Sequence, residues 1–243
     1  MEQIFVRFEN KFVITKKQKE IFLKAFLEHG FYYDSYSPNN NPYMVYSIYY
    51  ETLDYRIARE NLHNYNYREK FRIRFYNQPI KDDTIVFLEL KKKLKSMGNK
   101  RRMPLTYKEA IDFLHNNQKP ELNTFVDKQI LKEIKYHFNK HPLKPFTYIF
   151  YHRVAILDDV YNMRVTFDDN VSFSTDATFK DKTNLNLLPQ AEELIVMEVK
   201  VLNNYPLWLS ELMSKEKVFP LSFSKYTNTY KTLFEGGNID VFN

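Results

Sequence analysis

YREKFRIRFY, residues 67–76, decides how the rest of the chain is read. Side chains on a strand alternate strictly between two faces. As a strand, this stretch puts Arg68, Lys70, Arg72 and Arg74 on one face. Tyr67, Phe71, Ile73 and Phe75 share the other, which Glu69 interrupts once. A half-buried strand hides its apolar face. The face that remains then carries four cations in a row, and like charges repel unless an anion lies among them.

The same inversion recurs along the chain. VRFENKF aligns Arg7, Glu9 and Lys11, FLELKKK aligns Glu89, Lys91 and Lys93, and FYHRVAI sets Arg153 in an apolar run. MRVTFD aligns Arg164, Thr166 and Asp168, and IVMEVKV aligns Glu198 and Lys200. These faces together hold eleven cations and four carboxylates, a net +7 against +6 for the whole chain, so the basicity sits on strand faces. The opposite faces are apolar (Val86, Leu88, Leu90; Val165, Phe167; Met197, Val199, Val201) and need covering, for which amphipathic helices are available. Any single strand of this kind reads first as an ordinary sheet with a solvated charged face. For the set, the expectation is an α+β fold: a closed antiparallel β-barrel tunnel with a polar, basic lumen and flanking helices, the lumen holding a polyanion.

The chain has 243 residues, enough for one sizeable domain, read here as a single domain over 1–243. Hydrophobic residues at 44% exclude wholesale disorder. Without cysteine there is no disulfide framework, thiolate nucleophile or zinc-thiolate site. No stretch approaches the roughly 20 apolar residues of a membrane span, and MEQIFVRFENK lacks a signal-peptide layout, so a cytoplasmic location is expected. Strands are expected at 4–14, 44–51, 67–76 and 83–93, and again in PFTYIFYHRVAI, YNMRVTFD and ELIVMEVKVL. Helices are expected after Thr15 as N-cap, at 52–63, near 106–117 and 121–139, from Pro206, and at roughly 223–235. Ala110, Ile111, Leu114, Phe125, Ile130, Ile134 and Phe138 mark the apolar stripes of the middle pair. KSMGNKRRMP reads as a basic loop.

Other chemistries find less support. There is no Walker-type loop, and only four glycines in all. His137 and His141 have the spacing of a metal pair on a helix, but Pro142 follows, so they read as the finish of that helix near its negative end. Ser172 and Ser174 have no evident base. The basic run LKKKLKSMGNKRR reads as solvated. Single-strand nucleic-acid binding needs aromatics beside the cations, whereas here the interleaved aromatics fall on the opposite strand face, so no nucleic-acid partner is expected.

In order, RFENKF, YSIYYET, YREKFRIRFY, FLELKKK, NKRR, YHRVAI, MRVTFD, VMEVKV and SKY resemble the VTC (vacuolar transporter chaperone) polyphosphate polymerase domain of the CYTH/triphosphate tunnel metalloenzyme superfamily. The resemblance covers residues 3 to about 230. It implies a tunnel barrel that moves the γ-phosphate of ATP onto growing inorganic polyphosphate with Mn²⁺ or Mg²⁺. The motif matches imply that Lys11, Arg72, Arg74, Lys91, Arg153, Arg164, Lys200 and Lys225 are the phosphate-binding, catalytic cations. Lys70, Lys93 and Lys100 are further substrate contacts, Glu198 is the metal carboxylate and Glu89 a second. Where the family's opening signature has two carboxylates, only Glu9 stands here, Glu51 replaces the commoner Asp, and Lys93 replaces a frequent histidine. There is no room for the regulatory or membrane segments of the eukaryotic proteins, so any membrane coupling would come from a partner protein. Composition leaves the direction open: a tripolyphosphatase or nucleoside triphosphatase, or a non-catalytic polyphosphate-binding module, has the same lumen inventory.

Overall fold

The stretch at 67–76 forms β4 (Tyr67–Phe75), and its aromatic face is the hidden one: Phe71, Ile73 and Phe75 are fully buried. In the computed structural model, which describes residues 8–95, 97–122, 124–176, 186–188, 193–202 and 204–235, β4 is one of ten strands among six helices. The first half of the chain gives β1 (Phe8–Thr15), α1 (Lys16–Glu28), β2 (Tyr32–Tyr33), β3 (Tyr43–Thr52), α2 (Arg56–Leu62), β4, β5 (Ile85–Leu94) and β6 (Met97–Thr106). The second gives α3 (Tyr107–His115), α4 (Phe125–Lys140), β7 (Leu143–Asp158), β8 (Met163–Ser174), β9 (Asn186–Leu187), β10 (Leu194–Val201), α5 (Leu207–Lys215) and α6 (Lys225–Phe234).

The chain folds as two compact units. One comprises β1, α1, β2, β7 from Tyr151, β8 to Ser172, β10, α5 and α6. Within it β10 pairs antiparallel with β1 on one side and β8 on the other. The apolar faces of these strands (Phe12 and Ile14, Val165 and Phe167, Met197 and Val199) form one core with Phe22 and Phe26 of α1 and Leu209 and Met213 of α5. Helix α1 starts where the sequence says it should. Thr15 accepts from the Gln18 backbone N–H while the Gln18 side chain caps Thr15 in return, a reciprocal capping box. Gly30, at φ +86°, turns the chain out of the helix in a conformation that favours glycine.

The other unit comprises β3 from Val45, α2, β4, β5, β6, α3, α4 and β7 as far as Phe150. Its strands run β3-β4-β5-β6, antiparallel throughout. Helices α3 and α4 pack on the apolar face. Phe138 of α4 meets Phe71 edge-on with ring centroids 4.8 Å apart, and Ala110, Ile130 and Ile134 are buried as their spacing predicts. Phe125 is the exception in that stripe, 78% exposed in the first turn of α4. On the same covered side Glu133 takes Lys92 and Arg101, each at 3.2 Å, and His137 lies 2.5 Å from Glu69. The helix side of the sheet therefore has its own ion pairs. They pull Glu69 down to about 2, the contacts to His137 and Tyr67 and the charge of Lys92 outweighing the upward push of burial. His137 and His141 close α4, as the sequence suggests, one buried in its last turn and the other its C-cap.

Two expectations are corrected. The sheet is not closed into a barrel: the strand order is β1-β10-β8-β7-β3-β4-β5-β6, and β1 and β6 stand at its two ends with no register between them among the described residues. The barrel is expected because the apolar faces need helices outside them, opposed like charges need an anion between them, and the few carboxylates stand two residues from cations. Carboxylates lying within the same strand faces supply the counter-charge instead, so neutralisation does not demand closure. The second correction concerns KSMGNKRRMP, read as a loop but folded largely as β6, paired residue for residue with β5 from Leu94↔Met97 to Ile85↔Thr106. Its charges hide a strand-like alternation that places Met103 and Leu105 in the core.

Because Phe71 is fully enclosed and touches Phe138 and Tyr50, Phe71→Ala is expected to cost ~3–5 kcal/mol of unfolding free energy in denaturant titration.

Candidate functional site

In each unit the strand faces opposite the helix-packed apolar cores carry the charges. In the unit of β3–β6, strand register sets them in rows. Lys70 of β4 pairs with Lys91 of β5, and Lys91 with Lys100 of β6. Two residues along, the row is Tyr49, Arg72, Glu89 and Arg102, and next to it Ser47 lies opposite Arg74. Lys93 stands in register with Arg68 and Gly98. Three lysines abreast across three strands is an arrangement that ordinary sheets avoid.

Glu89, 2% exposed, is the anion that makes these rows tolerable. Its carboxylate lies 2.6 Å from Arg72, 2.7 Å from Lys100, 3.5 Å from Arg102 and 3.7 Å from Arg74. Burial pushes Glu89 up, but Arg72, Arg74 and Lys100 override it and hold the group well below the usual carboxylate range. Four cations around one carboxylate leave the cluster net positive. Aromatic groups steady it: Arg72 donates to the Tyr49 hydroxyl at 2.7 Å, and the Arg102 guanidinium lies 3.7 Å above the Phe87 ring. The aromatics interleaved with the cations of β4, Phe71 and Phe75, lie on the opposite face as expected, while Tyr49 and Phe87 come to the cation face from neighbouring strands. Lys100, although its side chain is 44% exposed, is lowered to about 8 by partial loss of hydration within the cluster and by Arg72 and Arg74, against the upward pull of Glu89.

In the other unit the face has two connected groups. Lys11 of β1 pairs in register with Glu198 of β10, and Glu198 with Thr166 of β8. The adjacent row runs Glu9, Lys200, Arg164. Lys200 lies 2.8 Å from Glu198 and 3.8 Å from Glu9, and Lys11 is 3.8 Å from Glu9. Lys11 also donates to the Phe223 carbonyl at 3.1 Å, which ties β1 to the approach of α6. Burial would raise Glu198, but Lys200, Lys11 and Arg153 hold it far below its ordinary value. The second group centres on Asp168, fully buried on β8. Arg153 donates to both its oxygens at 2.5 and 2.7 Å, and Lys225 of α6 donates to it at 2.5 Å. Both cations lie against the Tyr151 ring, at 5.2 and 4.4 Å from its centroid.

The structure thus brings Lys11, Lys200, Glu198, Arg153 and Lys225 together in one unit, and Arg72, Arg74, Lys100 and Glu89 in the other. Lys70 and Lys91 join the second group by register. Arg164 turns to Asp34, 2.7 Å away, in the turn that follows β2. The sequence reading did not assign Asp168, Asp34, Glu9 or Arg102 to the site, nor Tyr49 and Tyr151. The signals existed for both Glu9 and Asp168: Glu9 stands two residues from Arg7 and Lys11, and Asp168 four residues from Arg164 on one strand face. Asp34 is positioned only by folding, through its backbone bond to Ala155. Glu51 serves the fold, accepting from the Ile57 and Ala58 N–H groups in the first turn of α2. Arg7 lies outside the described residues.

For a metal, Glu9 and Glu198 supply hard carboxylate oxygens that converge on one ammonium, that of Lys200. That donor chemistry suits Mg²⁺ or Mn²⁺, whose shell phosphate oxygens and water would complete. Glu89, the second expected metal ligand, has its oxygens occupied by cations. Among the described residues no group of three or more His, Asp or Glu has the arrangement of a metal site. No helix among them is long and apolar enough to cross a membrane.

Comparison with known proteins agrees with the ordered motifs. The VTC domain family matches residues 6–234. A candidate adenylate cyclase from Bacillus halodurans, 13% identical, superposes with a TM-score of 0.52, covering 90% of this chain and 94% of its own, and shows a shared fold. A candidate adenylate cyclase from Vibrio parahaemolyticus (10% identical, 94% and 99% covered, TM-score 0.47) and a protein from Pyrococcus horikoshii (11%, 93% and 99%, 0.46) are more distant. No curated protein matches.

As pH rises through about 8, Lys100 loses its charge and the Glu89 cluster loses positive potential. Binding of inorganic triphosphate, followed by titration calorimetry, is expected to weaken over that interval, and Lys100→Arg to remove the step because a guanidinium stays charged.

Proposed function

We propose that this chain, which belongs to the VTC domain family, transfers the γ-phosphate of ATP to the end of a growing inorganic polyphosphate chain with a divalent metal. The observation that carries this reading is the in-register row Lys70–Lys91–Lys100 beside Arg72, Arg74 and Arg102 on one strand face. A phosphate chain repeats its negative charge at every unit, and a face that repeats positive charge row after row suits it. A small dianion would need only a fraction of those groups. Membership of the family supports a triphosphate substrate and a divalent-metal requirement.

Phosphoryl transfer asks little covalent chemistry of a protein; alignment and neutralisation of the equatorial oxygens do most of the work. The acceptor's terminal oxygen forms a bond to the γ-phosphorus as the bond from that phosphorus to the β,γ-bridging oxygen breaks, and ADP leaves. Arginine forks onto two oxygens, which suits Arg72 and Arg74 in one unit, and Arg153 in the other, each to orienting the phosphoryl group it contacts. Lysines supply compact charge, which suits Lys11, Lys91, Lys200 and Lys225 to following oxygens as charge shifts between donor and acceptor. Glu198 and Glu9 would hold the metal, with Lys200 moving from the carboxylates to phosphate oxygens as substrate binds. When bound, the metal supplies neutralisation of phosphoryl oxygens. Lys200, Lys11 and Arg153 keep the Glu198 carboxylate charged against the cost of its burial.

Purified protein with ATP and Mn²⁺ is expected to make long acid-labile phosphate chains, resolved by gel electrophoresis. Appearance of ADP and orthophosphate without chains would instead assign triphosphate hydrolysis, and binding of polyphosphate with no turnover would assign a binding module. Glu198→Gln, which keeps the shape of the site, is expected to lower metal-dependent turnover by about 10²-fold while leaving polyphosphate binding in place. Lys91→Ala is expected to weaken polyphosphate binding by about tenfold, the size of one charge-assisted contact.

A further inference from the structure

Asp168 is the most enclosed carboxylate of the cation faces, and every contact it makes is to a cation. Its two oxygens take the Nε and Nη2 edge of Arg153 and the ammonium of Lys225. Arg153 comes from β7 and Lys225 from the first residue of α6, segments far apart in sequence that both reach this carboxylate and the Tyr151 ring. Their side chains are each 12% exposed. Burial of this carboxylate costs free energy that the two cations repay, and together they hold Asp168 below its ordinary pKa.

The geometry leaves particular donors uncommitted to Asp168. A guanidinium has five N–H donors in a planar fork, and the carboxylate uses one edge, so the Nη1 side of Arg153 faces away from it. An ammonium has three donors, of which Asp168 takes one. We infer that Asp168 is a positioning residue: it fixes Arg153 and Lys225 as a pair, at one spacing and orientation, so that their remaining donors together grip a single phosphoryl group of the bound triphosphate. The inference rests on the triphosphate reading above and gives this carboxylate a role that its charge alone would not suggest. An anion in a phosphate site repels the ligand. Asp168 lowers the charge of the face, and it serves binding only by holding two cations in register that would otherwise swing apart.

The two possibilities predict opposite signs. If Asp168 merely adds negative charge, Asp168→Asn raises the net charge of the face by one and tightens binding of inorganic triphosphate. If it positions the pair, the same substitution weakens binding, and a purely structural role changes the fraction of competent protein and not the affinity. Titration calorimetry with inorganic triphosphate reads stoichiometry and Kd separately. Asp168→Asn is expected to weaken Kd by about tenfold or more at unchanged stoichiometry, since one misplaced fork forfeits a bidentate contact. Asp168→Glu, which keeps the charge but displaces both cations by a methylene, is expected to fall between the two. Should Asp168→Asn fail to fold, Asp168→Glu decides: parental affinity in that variant overturns the inference. Tighter or unchanged affinity in folded Asp168→Asn overturns it as well. Failure of the wild-type protein to make polyphosphate while these affinity changes are found would overturn the polymerase reading alone.

Discussion

A carboxylate placed inside a row of cations is the constraint on which both charged faces depend. Glu89 sits among Arg72, Arg74, Lys100 and Arg102, Asp168 between Arg153 and Lys225, and Glu198 between Lys11 and Lys200. Strand pairing brings side chains within about 5 Å of one another, so uncompensated rows of lysine and arginine would push the ladder apart. One buried anion per cluster removes enough of that repulsion for the sheet to form; the Glu89 and Asp168 clusters stay net positive, while Glu9 and Glu198 together balance Lys11 and Lys200. The residual positive charge is then available to a ligand, and the cations that would bind it are already held in place.

That arrangement depends in turn on what lies behind the strands. Side chains alternate, so every inward-packed Phe71, Leu88 or Met197 commits its neighbours Arg72, Glu89 and Glu198 to the other face. The aromatic cores under α1 and α5 in one unit and under α3 and α4 in the other fix the strands, and the strands fix the charges. The helix side carries its own polar links, Glu133 to Lys92 and Arg101 and Glu69 to His137, which separate the structural ion pairs from those of the site. The three lysines of FLELKKK divide accordingly: Lys92 belongs to the helix side, Lys91 and Lys93 to the open one.

Much of the candidate site was legible because period-two alternation survives in the sequence. YREKFRIRFY states which residues share a face, and the aromatic side could only be the buried one. The same logic placed Lys11, Glu198 and Lys200 together, and the structure sets them in adjacent rows. Less legible was which carboxylates restrain which cations. Asp34 reaches Arg164, and Asp168 reaches Lys225, across sequence separations that no local pattern marks. The strand β6 was hidden because Lys100, Arg101 and Arg102 give its residues the composition of a loop.

The sequence by itself determined the alternation, the helix starts such as the Thr15–Gln18 box, the concentration of positive charge on strand faces, and the family. All of these are local or compositional. Closure of the sheet was decided only by tertiary structure, because whether the edge strands β1 and β6 meet depends on the accumulated pairing of every strand between them. The charge argument for a barrel failed for a related reason: it set the anions beside cations along each strand but could not say which cations of neighbouring strands they meet. Once Glu89, Asp168 and Glu198 lie within bonding distance of their partners, an uncompensated row becomes a compensated one, and the sheet can carry it without closing.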